Sequence, residues 1–291
     1  VAMKLQRLID DPNISADQVV LVLSGDPSIC AQIIKSANSA LFAGKPHVND
    51  VRAAVARLGY RQLRNLVITV AMNNMAFSRN PIINRRMQLF WERSRQVAAI
   101  CRVVSLRLPQ LSGDQAMLAG LMHDIGVLPL CLHIEANHVP IDADVLEDMI
   151  VKCSGLISHR LLGKWNFPKE IIDAVSEYQD IHRQSRLASQ ADYADVITFA
   201  TLQDGVRSKV VAWDKVAAAK RIGLNEDECR RFLEQNLDAI NPIEDMLGLK
   251  LKTKVSSSNG AASPVVNKIE PARPATEVKH GFFSFIASLW K

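Results

Sequence analysis

The chain has 291 residues, of which 48% are apolar and 5% aromatic, an ordinary composition for a globular protein. Its formal net charge of +5 comes mainly from the C-terminal end, because the first 251 residues carry 29 basic and 28 acidic side chains. A body so evenly charged is not expected to bind nucleic acid.

Helical patterns follow one another along the first 250 residues. Ser15 and Gln18 predict a capping box, and Pro27 after Asp26 predicts the first turn of the next helix. Further helices are predicted at 51–58, 62–75, 88–108 and 112–125, and from near Ala143, Gly155, Pro168, Ala191 and Asn225. No stretch alternates apolar and polar residues between hairpin turns, so no strand is expected. The sequence therefore predicts an all-α protein.

The composition changes abruptly near residue 253. Residues 253–280 are poor in large apolar side chains and rich in serine and proline, which predicts a disordered linker. The final segment, 281–291, is apolar and predicts a short amphipathic helix. Its expected docking side chains are Phe282, Phe283, Phe285, Ile286, Leu289 and Trp290. They predict a tethered motif that docks in a partner's groove or on a membrane surface, while packing onto its own domain remains the alternative.

The cysteines and the apolar runs indicate the cellular compartment of the protein. Five cysteines are scattered without a Cys-x-x-Cys pair, so they indicate reduced thiols in the cytoplasm rather than a disulfide framework or a zinc cluster. No apolar run approaches the length needed to cross a bilayer, and no signal peptide is recognised. Val1 already lies in a helical pattern, which predicts that further residues precede it.

His123 and Asp124 are the most informative pair in the sequence. At a helix end they can offer an imidazole nitrogen and a carboxylate oxygen to one divalent metal. Two ligands do not make a hydrolytic centre, which needs three or more protein ligands and an open position for water. Phosphate-binding loops, dinucleotide fingerprints and nucleophile elbows are absent from the sequence.

Two passages carry a family resemblance. The first contains DPSI at 26–29, ANSALF at 37–42 and VRAAVARLG at 51–59. The second contains WERSRQVA at 91–98, GLMHDIG at 120–126 and LLGKWNFP at 161–168. Together they resemble the bacterial HDOD family of HD-related output domains, in the same order over about residues 1–250.

The resemblance implies both an architecture and a role. An N-terminal helical subdomain at 1–80 is expected to pack on an HD-like helical subdomain at 81–252. The second subdomain is similar to HD-type metal phosphohydrolases, but the family is often without demonstrated catalysis. A regulatory or signal-output role in bacteria is therefore expected.

The resemblance also locates the places where HD phosphohydrolases carry their other metal ligands. The places of the upstream and downstream histidines fall at Arg93-Ser94, Cys153-Ser154 and Tyr178-Gln179, and the distal aspartate would be Asp192 or Asp195. An arginine is permanently cationic and repels a divalent ion. The resemblance thus predicts a vestigial site of Arg93, His123 and Asp124, in which the guanidinium pairs with the carboxylate as an ionic clasp.

These observations predict a non-catalytic cytoplasmic adaptor that acts through contacts with signalling proteins. Catalytic residues, a cofactor and a bound metal are not expected. One alternative is a phosphohydrolase of nucleotides or phosphate esters that uses iron, manganese or zinc. Another is a receptor that binds a nucleotide second messenger in the degenerate cavity without turnover, with Arg93 on a phosphate.

Overall fold

A computed structural model describes residues 15–23, 27–42, 44–75, 78–165, 167–185, 190–203 and 207–247. Within these ranges the protein is helical and contains no β-strand, which confirms the predicted all-α fold. The described residues belong to one compact unit. The predicted linker at 253–280 and the docking tail at 281–291 lie outside the described residues.

The N-terminal part is a small helical layer. It consists of α1 (Ala16–Leu23), α2 (Pro27–Ala37), a 3₁₀ turn (Ala40–Phe42) and α3 (Val51–Met75). The predicted capping box is present, because Ser15 and Gln18 each accept a backbone N–H from the other. Buried side chains that include Val19, Ile33 and Leu63 form the core between these helices.

The ANSALF and VRAAVARLG motifs meet at the end of α2. The side-chain amide of Asn38 donates to the carbonyl oxygen of Val48 at 2.7 Å and accepts the backbone N–H of Val48 at 3.0 Å. Arg57 donates to the carbonyl oxygen of Ala37 at 3.1 Å. Gly59 interrupts α3 with φ 71° and ψ 160°, a conformation that glycine tolerates and that strains other residues. The break predicted after residue 58 is therefore confirmed.

The remaining helices lie in the part for which an HD-like subdomain is expected. They are α4 (Pro81–Ser105), α5 (Gly113–Met122), α6 (Val127–Ala136), α7 (Ala143–Lys164), α8 (Lys169–Glu177), α9 (Tyr193–Leu202), α10 (Arg207–Val210), a 3₁₀ turn (Trp213–Lys215), α11 (Ala217–Ile222) and α12 (Glu226–Leu247). α4 begins earlier than predicted, because Asn80 accepts the backbone N–H of Ile82 at 2.9 Å and Pro81 follows the cap. The helix predicted to start near Gly155 is wrong, since α7 passes through that residue.

Helix α4 is the centre of the HD-like part and contacts α5, α6, α9 and α12. It packs tightly on α5, where a Cβ on Gly120 would lie 2.8 Å from the Cα of Ala98. The two parts of the chain are joined directly, because Ser36 donates to the carbonyl oxygen of Met246 and Asn65 donates to that of Asp114.

Among the described residues, one apolar stretch is longer than the sequence analysis predicted. Residues Gly113–Ala136, which comprise α5, a turn and α6, are long and apolar enough to cross a bilayer. However, 89% of the apolar window is buried inside the fold. The segment therefore serves as the hydrophobic core that holds the His123-Asp124 turn in place.

Candidate functional site: a degenerate metal cavity

A cleft of about 790 Å³ opens between α4, the α5–α6 turn, α7, the end of α8 and α9. Arg93 of α4, His123 and Asp124 of the turn, Ser154 of α7 and Tyr178 after α8 all line it. The structure therefore brings together in one cavity the His123-Asp124 pair and the places expected for the missing histidines.

The α5–α6 turn is held against α7 by a glycine. The backbone N–H of Gly126 donates to the hydroxyl of Ser158 at 2.8 Å. A Cβ on Gly126 would lie 2.2 Å from the carbonyl oxygen of Ser154, so a larger residue does not fit there. This close approach places Ser154 in the same cleft as His123.

His123 is fixed in one tautomer. Its Nδ1 lies 2.8 Å from the carbonyl oxygen of Gly120, which can only accept, so Nδ1 carries the proton. Burial lowers the pKa of His123 below its ordinary value of 6.5, although the nearby Asp124 carboxylate acts in the opposite direction. The ring is therefore neutral, and Nε2 has a lone pair but no hydrogen-bond partner among the described residues.

Asp124 is bound by a tyrosine. The hydroxyl of Tyr178 donates to Asp124 Oδ1 at 2.8 Å and accepts from Gln179 at 3.2 Å. Burial, assisted by the charge of Asp124, raises the pKa of Tyr178 well above its ordinary value, so the phenol remains a donor. The other oxygen, Asp124 Oδ2, lies 3.6 Å from His123 Nε2, which is too far for a hydrogen bond.

The ionic clasp predicted between Arg93 and Asp124 is not formed. Arg93 Nη2 donates to the carbonyl oxygen of Thr201 at 2.6 Å, and no ion pair within the described residues joins Arg93 to Asp124. Thr201 lies in the last turn of α9, where backbone carbonyls lack helical partners and attract cations. The carboxylate is bound instead by the closer hydroxyl of Tyr178.

Asp192 and Asp195, the two candidates for a distal ligand, lie outside the lining of this cleft and serve the fold. Together they form the capping box of α9. Asp195 is fully buried, accepts from Arg221 Nε at 2.8 Å and lies 3.4 Å from Arg183 Nη2. Sequence reasoning missed both arginines, since no local motif links them to Asp195.

The donor set does not fit an HD-type metal centre. His123 Nε2 and Asp124 are the donors at the expected point, and no group of three or more His, Cys, Asp or Glu side chains in the described ranges could hold a metal. Arg93 adds a permanent positive charge to the same cavity. Within the described ranges the cleft thus supplies two candidate ligands, whereas a hydrolytic metal site uses three or more.

Comparison with known proteins identifies the family. The sequence model of the HDOD domain family matches residues 1–181. This chain belongs to the HDOD family. The predicted family is therefore confirmed, with a match that extends over more than half of the chain and includes the His123-Asp124 turn.

Proteins similar to this HDOD protein include two solved structures and one curated sequence. The crystal structure of a candidate metal-dependent phosphohydrolase from Shewanella amazonensis SB2B is 25% identical, with a TM-score of 0.67 over 85% of this chain and 90% of that one. That of a candidate signal transduction protein from Marinobacter aquaeolei VT8 is 21% identical, with a TM-score of 0.55 over 84% and 58%. An uncharacterized protein of Treponema pallidum (strain Nichols) is 23% identical over 194 residues, and the match spans 36% of its length.

Proposed function

We propose that this HDOD domain is a non-catalytic adaptor for signal output in the cytoplasm, and that it acts through contacts with other signalling proteins. The observation that carries the proposal is the donor set of the cleft. At the places of the missing histidines stand Arg93, Ser154 and Tyr178, and among the described lining residues His123 and Asp124 are the two that keep the expected ligand types.

The chemistry of these replacements disfavours hydrolysis. A metal-activated water needs a cation held by three or more ligands next to an open position. Here one oxygen of Asp124 accepts a hydrogen bond from Tyr178, and Arg93 supplies the kind of charge that repels a divalent ion. The phosphohydrolase alternative has the support of the Shewanella relative's description, but these side chains do not supply the ligands it requires.

An adaptor needs surfaces for its partners, and α7 offers one. Val145 and Leu156 are 48% and 60% exposed, and their spacing of three helical turns places them on the same face. Exposed aliphatic side chains on one face of a helix are available for contacts with another protein. The predicted docking tail would add a second, tethered contact. The even charge of the first 251 residues gives no support for a nucleic-acid partner.

Turnover is the test of this proposal. The purified protein is assayed with excess Mn²⁺, Fe²⁺ or Zn²⁺ against p-nitrophenyl phosphate, bis-p-nitrophenyl phosphate and nucleotides. We expect no hydrolysis above that of the Asp124→Ala variant, because a metal-activated water cannot be assembled. Crosslinking in cells is expected to capture the same partner with the native protein and with Asp124→Ala.

His133→Ala is the matched control, because His133 is an exposed histidine on α6 outside the cleft. Metal-dependent turnover that Asp124→Ala abolishes and His133→Ala retains would make the protein an enzyme. If the Asp124→Ala variant folds but no longer captures the partner, then partner binding depends on Asp124, which contradicts the proposed adaptor.

A further inference from the structure

The cleft contains two neighbouring hydrogen-bond acceptors for which the described residues supply no shared donor. His123 Nε2 has only a lone pair, since Nδ1 holds the proton and donates to Gly120. It is buried and has no partner among the described residues. Asp124 Oδ2 lies 3.6 Å away and is also an acceptor. One donor atom placed beside both could form a hydrogen bond to each.

The charges around His123 Nε2 and Asp124 Oδ2 are nearly balanced. Three arginines line the cleft, Arg86, Arg93 and Arg95, against four carboxylates that include Asp124. Arg86 is neutralised by Glu147 at 2.5 Å. An excess of one negative charge gives a phosphate little attraction. Beside His123 Nε2 the charges oppose one another, because the carboxylate of Asp124 attracts a cation and the guanidinium groups of Arg93 and Arg86 repel it. An uncharged donor fits best.

The number of acceptors selects the donor group. A hydroxyl has one hydrogen and can satisfy one acceptor, whereas an –NH₂ group has two and can satisfy both His123 Nε2 and Asp124 Oδ2. Tyr178 holds the carboxylate in position from the opposite oxygen. The arrangement therefore favours a primary carboxamide or an aromatic amine over an alcohol.

The mouth of the cleft supplies an apolar surface. Leu89 of α4 and Val151 of α7 line it and are 48% and 72% exposed. The cleft volume of about 790 Å³ is in the range of small-molecule sites, roughly 300–1,000 Å³. A ligand with a polar end and an apolar body would fill both parts.

We propose that the cleft binds an uncharged small molecule whose –NH₂ group lies between His123 Nε2 and Asp124 Oδ2, and whose apolar body contacts Leu89 and Val151. This would make the domain a receptor for a small ligand as well as an adaptor. The inference rests on the proposed function, because a catalytic metal would be bound by the same two atoms of His123 and Asp124. Binding would connect α4, α7 and the α5–α6 turn through one molecule.

A series of benzene derivatives on the native protein tests the ligand class. Benzamide and aniline carry the –NH₂ group as an amide and as an amine, N,N-dimethylbenzamide lacks both hydrogens, and benzoate and benzamidinium are the charged counterparts. The readout is the nitrogen resonance of the His123 imidazole during titration. We expect a saturable shift with benzamide or aniline, and at least about tenfold weaker binding of N,N-dimethylbenzamide and of benzoate, since the buried His123 Nε2 would be left without a donor.

Variants provide the second arm. His123→Phe and Asp124→Ala are expected to lose benzamide or aniline binding measured by calorimetry, and the matched control His133→Phe is expected to keep it. Equal binding of N,N-dimethylbenzamide, tighter binding of benzamidinium, or no saturable binding of either –NH₂ compound would overturn the proposal. The comparison on the native protein decides this even if the His123→Phe variant does not fold.

The failure of this inference differs from the failure of the proposed function. If the protein has no metal and no turnover and binds neither –NH₂ compound, only the ligand proposal is contradicted. A stoichiometric metal bound through His123, with metal-dependent turnover, contradicts both.

Discussion

Replacing Asp195 by alanine is expected to lower the free energy of unfolding by about 3–5 kcal/mol, the cost of breaking a buried ion pair by removing one partner. Asp195 is fully buried, and Arg221 and Arg183 contact it. Without the carboxylate, both guanidinium groups stay in the interior with fewer acceptors. The α9 capping box is lost at the same time, because Asp195 is one of its two residues.

Urea unfolding monitored by circular dichroism measures this change. The matched control is Asp227→Ala, which removes an exposed carboxylate paired with Arg231 one turn along α12. Exposed pairs of this kind contribute little, so the control is expected to unfold close to the native protein. A decrease below about 1 kcal/mol for Asp195→Ala would mean that Asp195 does not hold the fold together.

Replacing Gly126 by alanine is expected to destabilise the protein by about 1–3 kcal/mol or more, as overpacking does in a tight interior. The added Cβ would lie 2.2 Å from the carbonyl oxygen of Ser154 and 2.9 Å from the backbone nitrogen of Ser158. Both are backbone atoms, so α7 must move away from the α5–α6 turn. The cleft would widen on the side of Ser154.

Gly155→Ala is the matched control on α7 itself. A Cβ there would meet no described atom within 4 Å, and alanine is favoured over glycine inside a helix by about 1 kcal/mol. Thermal unfolding is therefore expected to shift down for Gly126→Ala and up for Gly155→Ala. Equal midpoints for the two variants would contradict the close packing of the turn on α7.

The parts of the fold that the sequence predicts correctly are those with local causes. The capping box of Ser15 and Gln18 is present. The helix predicted to start near Asn225 does so, because Asn225 and Glu228 each accept a backbone N–H from the other. The interruption at Gly59 follows from its positive φ. Gly155 misled the prediction, since a glycine inside a helix has the same local signature as one at a helix boundary.

In the candidate site, too, the sequence predicts one part of the arrangement and misses another. The resemblance to the HDOD family was enough to place Arg93, His123 and Asp124 in one cavity. Their pairing depends on tertiary geometry, because the end of α9 offers Arg93 a carbonyl and the end of α8 offers Asp124 the hydroxyl of Tyr178. Neither contact joins residues close in sequence, so no periodicity or spacing predicts it.

Metal content per chain tests the central claim most directly. It is measured by mass spectrometry of the elements on untagged protein purified without chelators under low oxygen, for the native chain and for His123→Ala. The donor set predicts iron, manganese and zinc well below one atom per chain, with no difference between the two proteins. Nearly one metal atom per native chain, lost in His123→Ala, would contradict a degenerate site.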